Sequence, residues 1–240
     1  MKKIESFGFE PGEVIYGKYE ILELLGKGWE GEVYLIKEIE TGIEKTAKFF
    51  YPHRNVRGRA SKFYAKKLHK LRNCSIVIQY YAQDTLYIEG APIVFLLSEF
   101  VEGELLSEFL KRQPGKRLNP FAALHLLHSL AKGIEDIHRL KEYHGDLHTD
   151  NIIVQRSGLR FDLKLLDLYH WGGASAEKIH DDVVELIHIF YEVLGGKKHY
   201  HNLPPAIKDI ICGQKRSLIL QKFKTAGKLR EYIEILEWDA

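Results

Sequence analysis

The pattern of apolar and polar positions along the chain changes near residue 103. Before that point, short alternating or β-branched runs are separated by glycine or acidic-glycine turns, which predicts β-strands. The predicted strands cover residues 19–25, 32–36, 45–50, 76–81 and 93–100. Among them, residues 58–72 have the apolar spacing of a helix. The first part of the chain is therefore predicted to be β-rich.

After residue 103 the pattern is mostly helical. Asn119-Pro120 provides a cap and a first-turn proline for a long helix that should run to about residue 142. A second apolar helix is predicted over residues 182–194, where two glycines would end it. Between the helices, the apolar runs 151–155 and 163–168 resemble the strands of a hairpin. The pattern predicts an α+β protein with a β-rich N-terminal lobe, a short connector and a helical C-terminal lobe.

Composition narrows the classes of protein that fit this pattern. The chain has 240 residues, of which 45% are hydrophobic and 28% charged, and this is ordinary for a soluble globular protein. Its net charge of +2 argues against a dedicated nucleic-acid binder. Cys74 and Cys212 share neither a metal-type spacing nor a disulfide pattern, so we expect reduced thiols. Because the N-terminus lacks a signal core and no run approaches the roughly 20 apolar residues that cross a bilayer, we expect a cytoplasmic protein without membrane contact.

Residues 25–34 contain the pattern Gly-x-Gly-x-x-Gly-x-Val between two predicted strands. Gly26, Gly28 and Gly31 would let the backbone adopt positive φ and bring its N–H groups close to a phosphate. The strand–turn–strand context favours a hairpin folded over the phosphates of ATP, although an ordinary glycine-rich hairpin fits equally well. Lys48 follows in the middle of a predicted strand. In this order, we expect it to point towards the α- and β-phosphates rather than to lie as an edge charge.

The segment from His144 to Asn151, His-Gly-Asp-Leu-His-Thr-Asp-Asn, follows the long predicted helix and precedes a strand. Asp146 can accept a proton from an attacking hydroxyl or orient it, and Asn151 can offer an amide oxygen to Mg²⁺. Asp167 lies at the end of the next predicted strand, where its carboxylate can be a second metal ligand. These residues in this order, behind a glycine-rich turn and a strand lysine, predict a phosphotransferase.

Together these motifs resemble the protein-kinase-like superfamily over roughly residues 12–240, and the N-terminal part is similar to bacterial serine/threonine kinases of the eukaryotic type. The resemblance implies one kinase-like domain over residues 1–240, with an N-lobe to about residue 98, a hinge at about 99–103 and a shortened C-lobe at about 104–240. It also implies ATP and Mg²⁺ as cofactors. Lys48 would hold phosphates, Asp146 would be the catalytic base or hydroxyl-orienting residue, and Asn151 and Asp167 would bind the metal.

The resemblance also implies an adenine site. The backbone of Glu99 and Val101 in the hinge would hydrogen-bond the base, and Ser98 would be a small residue behind the nucleotide. The adenine ring would lie between three apolar side chains, each of which is equally well explained as a plain core residue: Val33, Ala47 and Ile153. The segment from His144 to Asn151 corresponds to the catalytic loop of the family. In the C-lobe, Asp182 would brace the backbone of this catalytic loop.

Several departures from the family pattern make the chain atypical. Residues 46–83 contain no Asp or Glu, so the helix glutamate that usually pairs with the strand lysine is missing. Tyr64 takes its slot, and it could give Lys48 a phenol oxygen but no charge. Gly145 replaces the arginine that usually precedes the catalytic Asp, so we do not expect regulation by phosphorylation of the activation loop.

Two further departures concern the acceptor side of the predicted site. His148 replaces a lysine, and the resulting loop His-Gly-Asp-Leu-His is similar to that of aminoglycoside and other small-molecule phosphotransferases, while RIO-type kinases share its first four residues, His-Gly-Asp-Leu. It can donate to a γ-phosphate oxygen and so act in catalysis, or it can simply pack the loop. Only 14 residues, 168–181, separate Asp167 from Asp182, and the chain after residue 196 is too short for the full set of C-terminal helices. We therefore expect a reduced platform for peptide substrates.

Three functions fit these observations. The leading hypothesis is an ATP- and Mg²⁺-dependent kinase acting on serine or threonine of a protein. The second is a small-molecule kinase, favoured by His148 and the short segment after Asp167. The third is a nucleotide-binding pseudokinase scaffold, which rests on the missing helix glutamate. In addition, the predicted helix 59–70 has a cationic face that is either solvated or a docking patch for an acidic partner: Arg59, Lys62, Lys66 and Lys70.

Overall fold

The computed structural model describes residues 4–168 and 172–237, and these residues form two compact units. The N-terminal unit comprises the described residues up to Arg72 together with Ile78–Val101. The C-terminal unit comprises Asn73–Val77 together with the described residues from Glu102 onward. Strands dominate the first unit and helices the second, so the α+β class expected from the sequence is confirmed.

The N-terminal unit is an antiparallel sheet with one helix. Its elements are β1 (Val14–Ile15), β2 (Tyr19–Lys27), β3 (Gly31–Glu38), β4 (Glu44–Phe50), α1 (Arg59–Lys70), β5 (Tyr80–Ile88) and β6 (Ala91–Glu99). The strand order is β1-β2-β3-β4-β6-β5. Helix α1 packs against β5 and β6 and buries Tyr64 and Leu68. The four cationic side chains of the predicted polar face are exposed, namely Arg59, Lys62, Lys66 and Lys70, so the faces predicted for this helix are confirmed, while Lys67 is buried.

The described residues of the C-terminal unit form three strands and seven α-helices. They are β7 (Glu104–Leu105), α2 (Leu106–Arg112), α3 (Pro120–Arg139), β8 (Ile152–Ser157), β9 (Arg160–Leu165), α4 (Ala176–Val193), α5 (Gly196–His199) and α6 (Pro205–Ile211), followed by α7 (Arg216–Lys222) and α8 (Ala226–Glu234). The side chain of Asn119 caps α3 by accepting a hydrogen bond from the Ala122 N–H at 2.9 Å, as predicted. Helix α3 packs against α4 and α8. No helix in the described ranges is both long and apolar enough to cross a bilayer.

The predicted strand at residues 76–81 is wrong. Strand β5 begins at Tyr80, and the apolar residues Ile76 and Val77 before it belong to the C-terminal unit. Ile76 packs so closely on Gly133 of α3 that a Cβ there would lie 2.4 Å from its Cδ1, while Val77 forms an isolated bridge with Leu165. The apolar run therefore marks burial against α3 and β9 rather than a strand. Strand β5 was missed because its polar residues hide the alternation.

Helix α4 begins six residues before the predicted start. Ser175 is its cap, and the side-chain oxygen accepts a hydrogen bond from the Lys178 N–H at 3.3 Å. The first turns carry charged and polar residues, which hide the apolar periodicity on which the prediction depended. The early start shortens the segment between Asp167 and α4, of which residues 169–171 lie outside the described ranges.

The buried carboxylate of Glu32 accepts several hydrogen bonds on the face of the N-terminal sheet that carries Tyr34. Only 1% of the residue is exposed. It accepts hydrogen bonds from the hydroxyls of Ser6, Tyr34 and Tyr51 at 2.8, 2.6 and 3.1 Å. The Phe7 N–H donates at 3.1 Å, and the Lys27 ammonium lies 3.2 Å away. Glu32 thereby fastens the N-terminal segment to the sheet.

The pKa values around Glu32 follow from this arrangement. Burial raises the pKa of the Glu32 carboxyl, but the hydrogen bonds it accepts outweigh burial and bring the pKa below its usual value. Burial and the Glu32 carboxylate raise the pKa of Tyr51 to about 12 and raise that of Tyr34 as well. Glu32 is therefore ionised in the folded chain, with both phenols acting as donors.

We predict that Glu32→Ala destabilises the protein by about 3 kcal/mol, because two buried phenols lose their acceptor. Glu108→Ala, which removes an exposed pair with Lys111, should cost less than about 1 kcal/mol. Urea unfolding of both variants measures the difference. Equal effects would contradict the assignment. Because the pKa of Glu32 is lowered, its contribution is present above its unfolded pKa and is lost as the pH falls through the folded value.

Gly31 marks the closest approach between two strands of the sheet. It pairs with Phe50, and a Cβ at Gly31 would lie 1.8 Å from the carbonyl oxygen of Phe49. Gly26 and Gly28, by contrast, have no atom within 4 Å of a Cβ position. Positive φ does not occur at any of these three glycines, so that reason for their presence is wrong. Close backbone approach explains Gly31 instead.

We predict that Gly31→Ala lowers stability by about 3 kcal/mol, because the new methyl group would displace a strand. Gly28→Ala is the matched control, since the added methyl group meets open space and should change stability by less than about 1 kcal/mol. Thermal unfolding of the two variants tests this. If Gly31→Ala unfolds at the same temperature as Gly28→Ala, the close approach is not a constraint.

Candidate active site

Lys48 lies in the middle of β4 with its ammonium largely buried. Its side chain is 14% exposed, and Nζ lies 3.5 Å from Oε2 of Glu30 in the glycine-rich turn. The same Nζ lies 4.8 Å from the centre of the Tyr64 ring and 5.6 Å from that of Phe50. Tyr64 therefore does contact Lys48, as its position in α1 predicted, but through the face of its ring. The carboxylate partner, Glu30, was missed.

Strand register shows which side chains share a face with Lys48. Lys48 pairs with Val33 across β3, and Thr46 pairs with Ser98 of β6. Because alternate residues of a strand point to the same side, Thr46, Lys48 and Val33 share one face. The prediction that Ala47 contacts adenine is wrong. Ala47 points to the opposite side and is fully buried in the core with Tyr34 and Leu97. The strand residue that shares the face of Lys48 is Thr46 rather than Ala47.

The segment after β6 was predicted to hold the adenine base. Thr46 Oγ1 donates to the carbonyl oxygen of Glu99 at 3.2 Å, and the Glu99 N–H donates to Gln79 O at 2.9 Å. A carbonyl oxygen has two lone pairs, so Glu99 can still accept from a ligand. Val101 is half-buried at the end of the N-terminal unit. Ile153, the third expected adenine contact, is half-buried on β8 in the C-terminal unit.

The catalytic loop in the C-terminal unit is held by carboxylates of α4. Asp182 is fully buried and accepts hydrogen bonds from the N–H groups of His144 and Gly145 at 2.7 and 2.8 Å. His138 Nε2 lies 2.9 Å from the same carboxylate. Gly145 has φ +84°, in the left-handed region that favours glycine. The loop backbone at this position therefore needs a glycine as well as the carboxylate.

Two further carboxylates on the same face of α4 hold the rest of the loop. Glu185 accepts from the Leu147 N–H at 3.1 Å, and Glu192 accepts from the Thr149 hydroxyl at 3.0 Å. Burial and, to a lesser extent, nearby carboxylates raise the pKa of Glu185 to about 7. The hydrogen bond from the Leu147 N–H opposes this rise in part. Neither residue was singled out from the sequence, although spacings of three and ten residues from Asp182 place all three on one helical face.

Asp146 is exposed and lies beside Asn151. Asn151 Nδ2 donates to the carbonyl oxygen of Asp146 at 2.9 Å and to its Oδ2 at 3.3 Å. His148 Nε2 lies 2.8 Å from the same Nδ2 and 3.8 Å from Asp146 Oδ2. His148 Nδ1 accepts from the Asp150 N–H at 3.3 Å and so caps the short turn Thr149–Asn151. The structure thus brings Asp146, His148 and Asn151 together.

Asn151 and Asp167 are the predicted ligands of a magnesium ion. With its nitrogen engaged by Asp146, Asn151 would present its amide oxygen. The Leu166 N–H donates to the carbonyl oxygen of Asn151 at 2.9 Å, so Asp167 follows directly after this link. Asp167 has φ +49°, an uncommon conformation for a residue other than glycine. Among the described residues no three His, Cys, Asp or Glu side chains form a metal cluster.

The segment before α4 is tied to the catalytic loop by a lysine. Lys178 Nζ donates to the carbonyl oxygen of Gly173 at 3.1 Å and to the Tyr143 hydroxyl at 2.9 Å. It also lies 4.5 Å from the centre of the Tyr143 ring. The Lys178 ammonium therefore joins the segment before α4 to the start of the catalytic loop, and this link needs no phosphorylated residue.

We predict that Glu185 makes stability fall as the pH rises. Its pKa is about 7 in the folded chain against an ordinary value of 4.5, so its contribution is fully present below pH 4.5 and is lost as the pH rises to about 7. Glu185→Gln keeps an acceptor for the Leu147 N–H but cannot titrate, so its stability should change less over this range. Urea unfolding from about pH 5 to about pH 8 tests this. Identical pH dependence in variant and wild type would contradict it.

Comparison with known proteins places this chain among kinases. The family model described as the protein kinase domain matches residues 19–203, more than three quarters of the chain. The serine/threonine-protein kinase pkn2 of Myxococcus xanthus is 31% identical over 157 residues, which are 64% of this chain and 18% of pkn2. The serine/threonine-protein kinase PrkC of Bacillus subtilis is 28% identical over 150 residues, 61% of this chain and 22% of PrkC.

The similarity is not confined to bacterial proteins. Cyclin-dependent kinase B2-2 of Arabidopsis thaliana is 25% identical over 208 residues, 82% of this chain and 64% of that kinase. The chain spans about a fifth of the length of the two bacterial relatives. On the extent of the family match, this chain belongs to the protein kinase domain family.

Proposed function

We propose that the chain is an ATP- and Mg²⁺-dependent protein kinase that phosphorylates serine or threonine. The observation that carries the proposal is the catalytic loop, in which Asp146 is exposed beside Asn151 while Asp182 holds the loop backbone. The bacterial relatives pkn2 and PrkC, both serine/threonine-protein kinases by name, support this acceptor class.

The roles of the chain's own residues follow from their chemistry. Asp146 would orient the acceptor hydroxyl and take its proton as the new P–O bond forms. Lys48 and the backbone N–H groups of the glycine-rich turn would stabilise the charge that spreads over the transferred phosphoryl group. Asn151 and Asp167 would hold Mg²⁺, which neutralises phosphate charge when bound. His148 is fixed by its cap on the Asp150 N–H. Its Nε2 lies 2.8 Å from Asn151 Nδ2, so the ring would donate to a γ-phosphate oxygen after leaving that amide and taking up a proton at Nε2.

A small-molecule kinase remains the second candidate because of one observation. Helix α4 begins at Ala176, only nine residues after Asp167, and this leaves little chain to seat a peptide. The scaffold hypothesis rests on the missing helix glutamate, and α1 contains no acidic residue, although Glu30 lies 3.5 Å from Lys48. An acidic partner at the exposed cationic face of α1 and a cytoplasmic location stay predictions from the sequence.

We predict that the purified chain transfers labelled phosphate from γ-labelled ATP in the presence of Mg²⁺. Asp146→Asn should slow transfer by about 10²–10⁴-fold, because the acceptor hydroxyl loses its base, while nucleotide binding is kept. Asp162→Asn is the control, since this exposed carboxylate pairs with Arg160 in the hairpin β8–β9.

The assay separates the three hypotheses when the acceptor pool is varied. Label on serine or threonine of lysate proteins supports the protein kinase, and label confined to metabolites supports the small-molecule kinase. Nucleotide binding with no transfer to either pool would contradict both and favour a scaffold. Chelation of Mg²⁺ should abolish transfer in either enzyme.

A further inference from the structure

The ammonium of Lys48 has an unusual environment for the lysine of a phosphate site. It is largely buried, and helix α1, which packs on the same sheet, contains no acidic residue. A buried ammonium is costly unless an opposite charge or a π-face compensates its lost hydration. Glu30, with a side chain only 16% exposed, provides the charge, and the ring of Tyr64 provides a face 4.8 Å away.

Glu30 is held in place by the backbone on both sides of it. Its carbonyl oxygen accepts from the Tyr51 N–H at 2.9 Å, just beyond the end of β4. The turn that contains it is closed by a hydrogen bond from the Gly28 N–H to the carbonyl oxygen of Gly31, also at 2.9 Å. The backbone that carries the Glu30 carboxylate is therefore fixed by the same sheet that carries Lys48.

The other carboxylate of this turn cannot take the same role. The carboxylate of Glu32 accepts hydrogen bonds from hydroxyl and N–H donors on the face of the sheet that carries Tyr34. Its cationic neighbour is Lys27, 3.2 Å away, rather than Lys48. The two acidic residues of the turn are thus divided between the core and the strand lysine.

We propose that Glu30 is the positioning residue for Lys48, replacing the missing helix carboxylate with one from the glycine-rich turn. This rests on the proposed function, in which Lys48 meets the phosphates of ATP. The arrangement ties the orientation of the lysine to the conformation of the turn that would cover those phosphates. Glu30 acts through Lys48 and touches no reacting atom.

The test compares Glu30→Gln, Glu30→Asp and wild type in two measurements. One is phosphoryl transfer at saturating Mg²⁺ and ATP, and the other is the affinity for Mg²⁺ and ADP by calorimetry. Glu30→Gln should slow transfer by about 100-fold, because a displaced lysine no longer meets the developing charge. Its ADP affinity should fall by about ten-fold, which corresponds to about 1.4 kcal/mol. Glu30→Asp, which keeps the charge, should lie between Glu30→Gln and wild type in both measurements.

Rescue separates positioning from a general structural effect. Tyr64→Glu in the Glu30→Gln background restores a carboxylate from α1 and should recover part of the lost transfer rate. Glu20→Gln is the control, since it removes another Lys–Glu ion pair of the same sheet, 2.8 Å to Lys37, on the neighbouring strands β2 and β3. It should leave both measurements unchanged.

The proposal is overturned if Glu30→Gln transfers phosphate as fast as wild type. It is also overturned if Glu30→Gln is faster or binds ADP more tightly, since Glu30 would then compete with the phosphates for Lys48. A wild type that binds ADP but transfers no phosphate contradicts the proposed function instead. In that case the ADP affinities of Glu30→Gln and Glu30→Asp still decide whether Glu30 positions Lys48.

Discussion

The catalytic loop keeps its shape because the carboxylate of Asp182 and the backbone N–H groups of the loop satisfy each other. The loop residues His144 and Gly145 lie outside any helix or sheet, so their N–H groups need another acceptor. Asp182 is fully buried and needs donors to offset its lost hydration. The hydrogen bonds between them meet both needs, and the placement of Asp146 depends on them.

The N-terminal unit solves a related problem in two different ways. Glu32 sits among neutral hydroxyl and N–H donors, and they keep it ionised inside an aromatic cluster. Glu30 instead compensates the charge of a buried ammonium. Two acidic residues separated only by Gly31 thus have opposite surroundings. Their division follows from the closed turn and from the close approach at Gly31, which bring the end of β4 against both of them.

Sequence periodicity was a good guide where one face of an element is buried and the other is exposed. It predicted most strands of the first sheet, both faces of α1 and the cap of α3. It failed at residues 76–77, whose apolar side chains are buried in the C-terminal unit. The resemblance to kinases failed at Ala47, because strand alternation turns neighbouring residues to opposite sides and an assignment that is off by one residue reverses the face.

The candidate site was predictable to the extent that it follows from local motifs. The loop from His144 to Asn151 and the lysine of β4 stand out from their spacing alone. Glu30 does not, because its contact with Lys48 depends on how the turn closes over the sheet, and no periodic pattern encodes that. Glu185 and Glu192 were within reach, since both share a helical face with Asp182, but their role requires the loop to be packed there.

The carboxylates of α4 have a consequence for how the protein is made. They lie 37 to 43 residues after the loop positions whose donors they accept. During synthesis the loop therefore emerges from the ribosome well before the helix that shapes it. A nascent chain that ends before α4 has all the residues of the loop motif, yet it lacks the acceptors that fold them. The catalytic loop therefore takes its final conformation only after α4 has been synthesised.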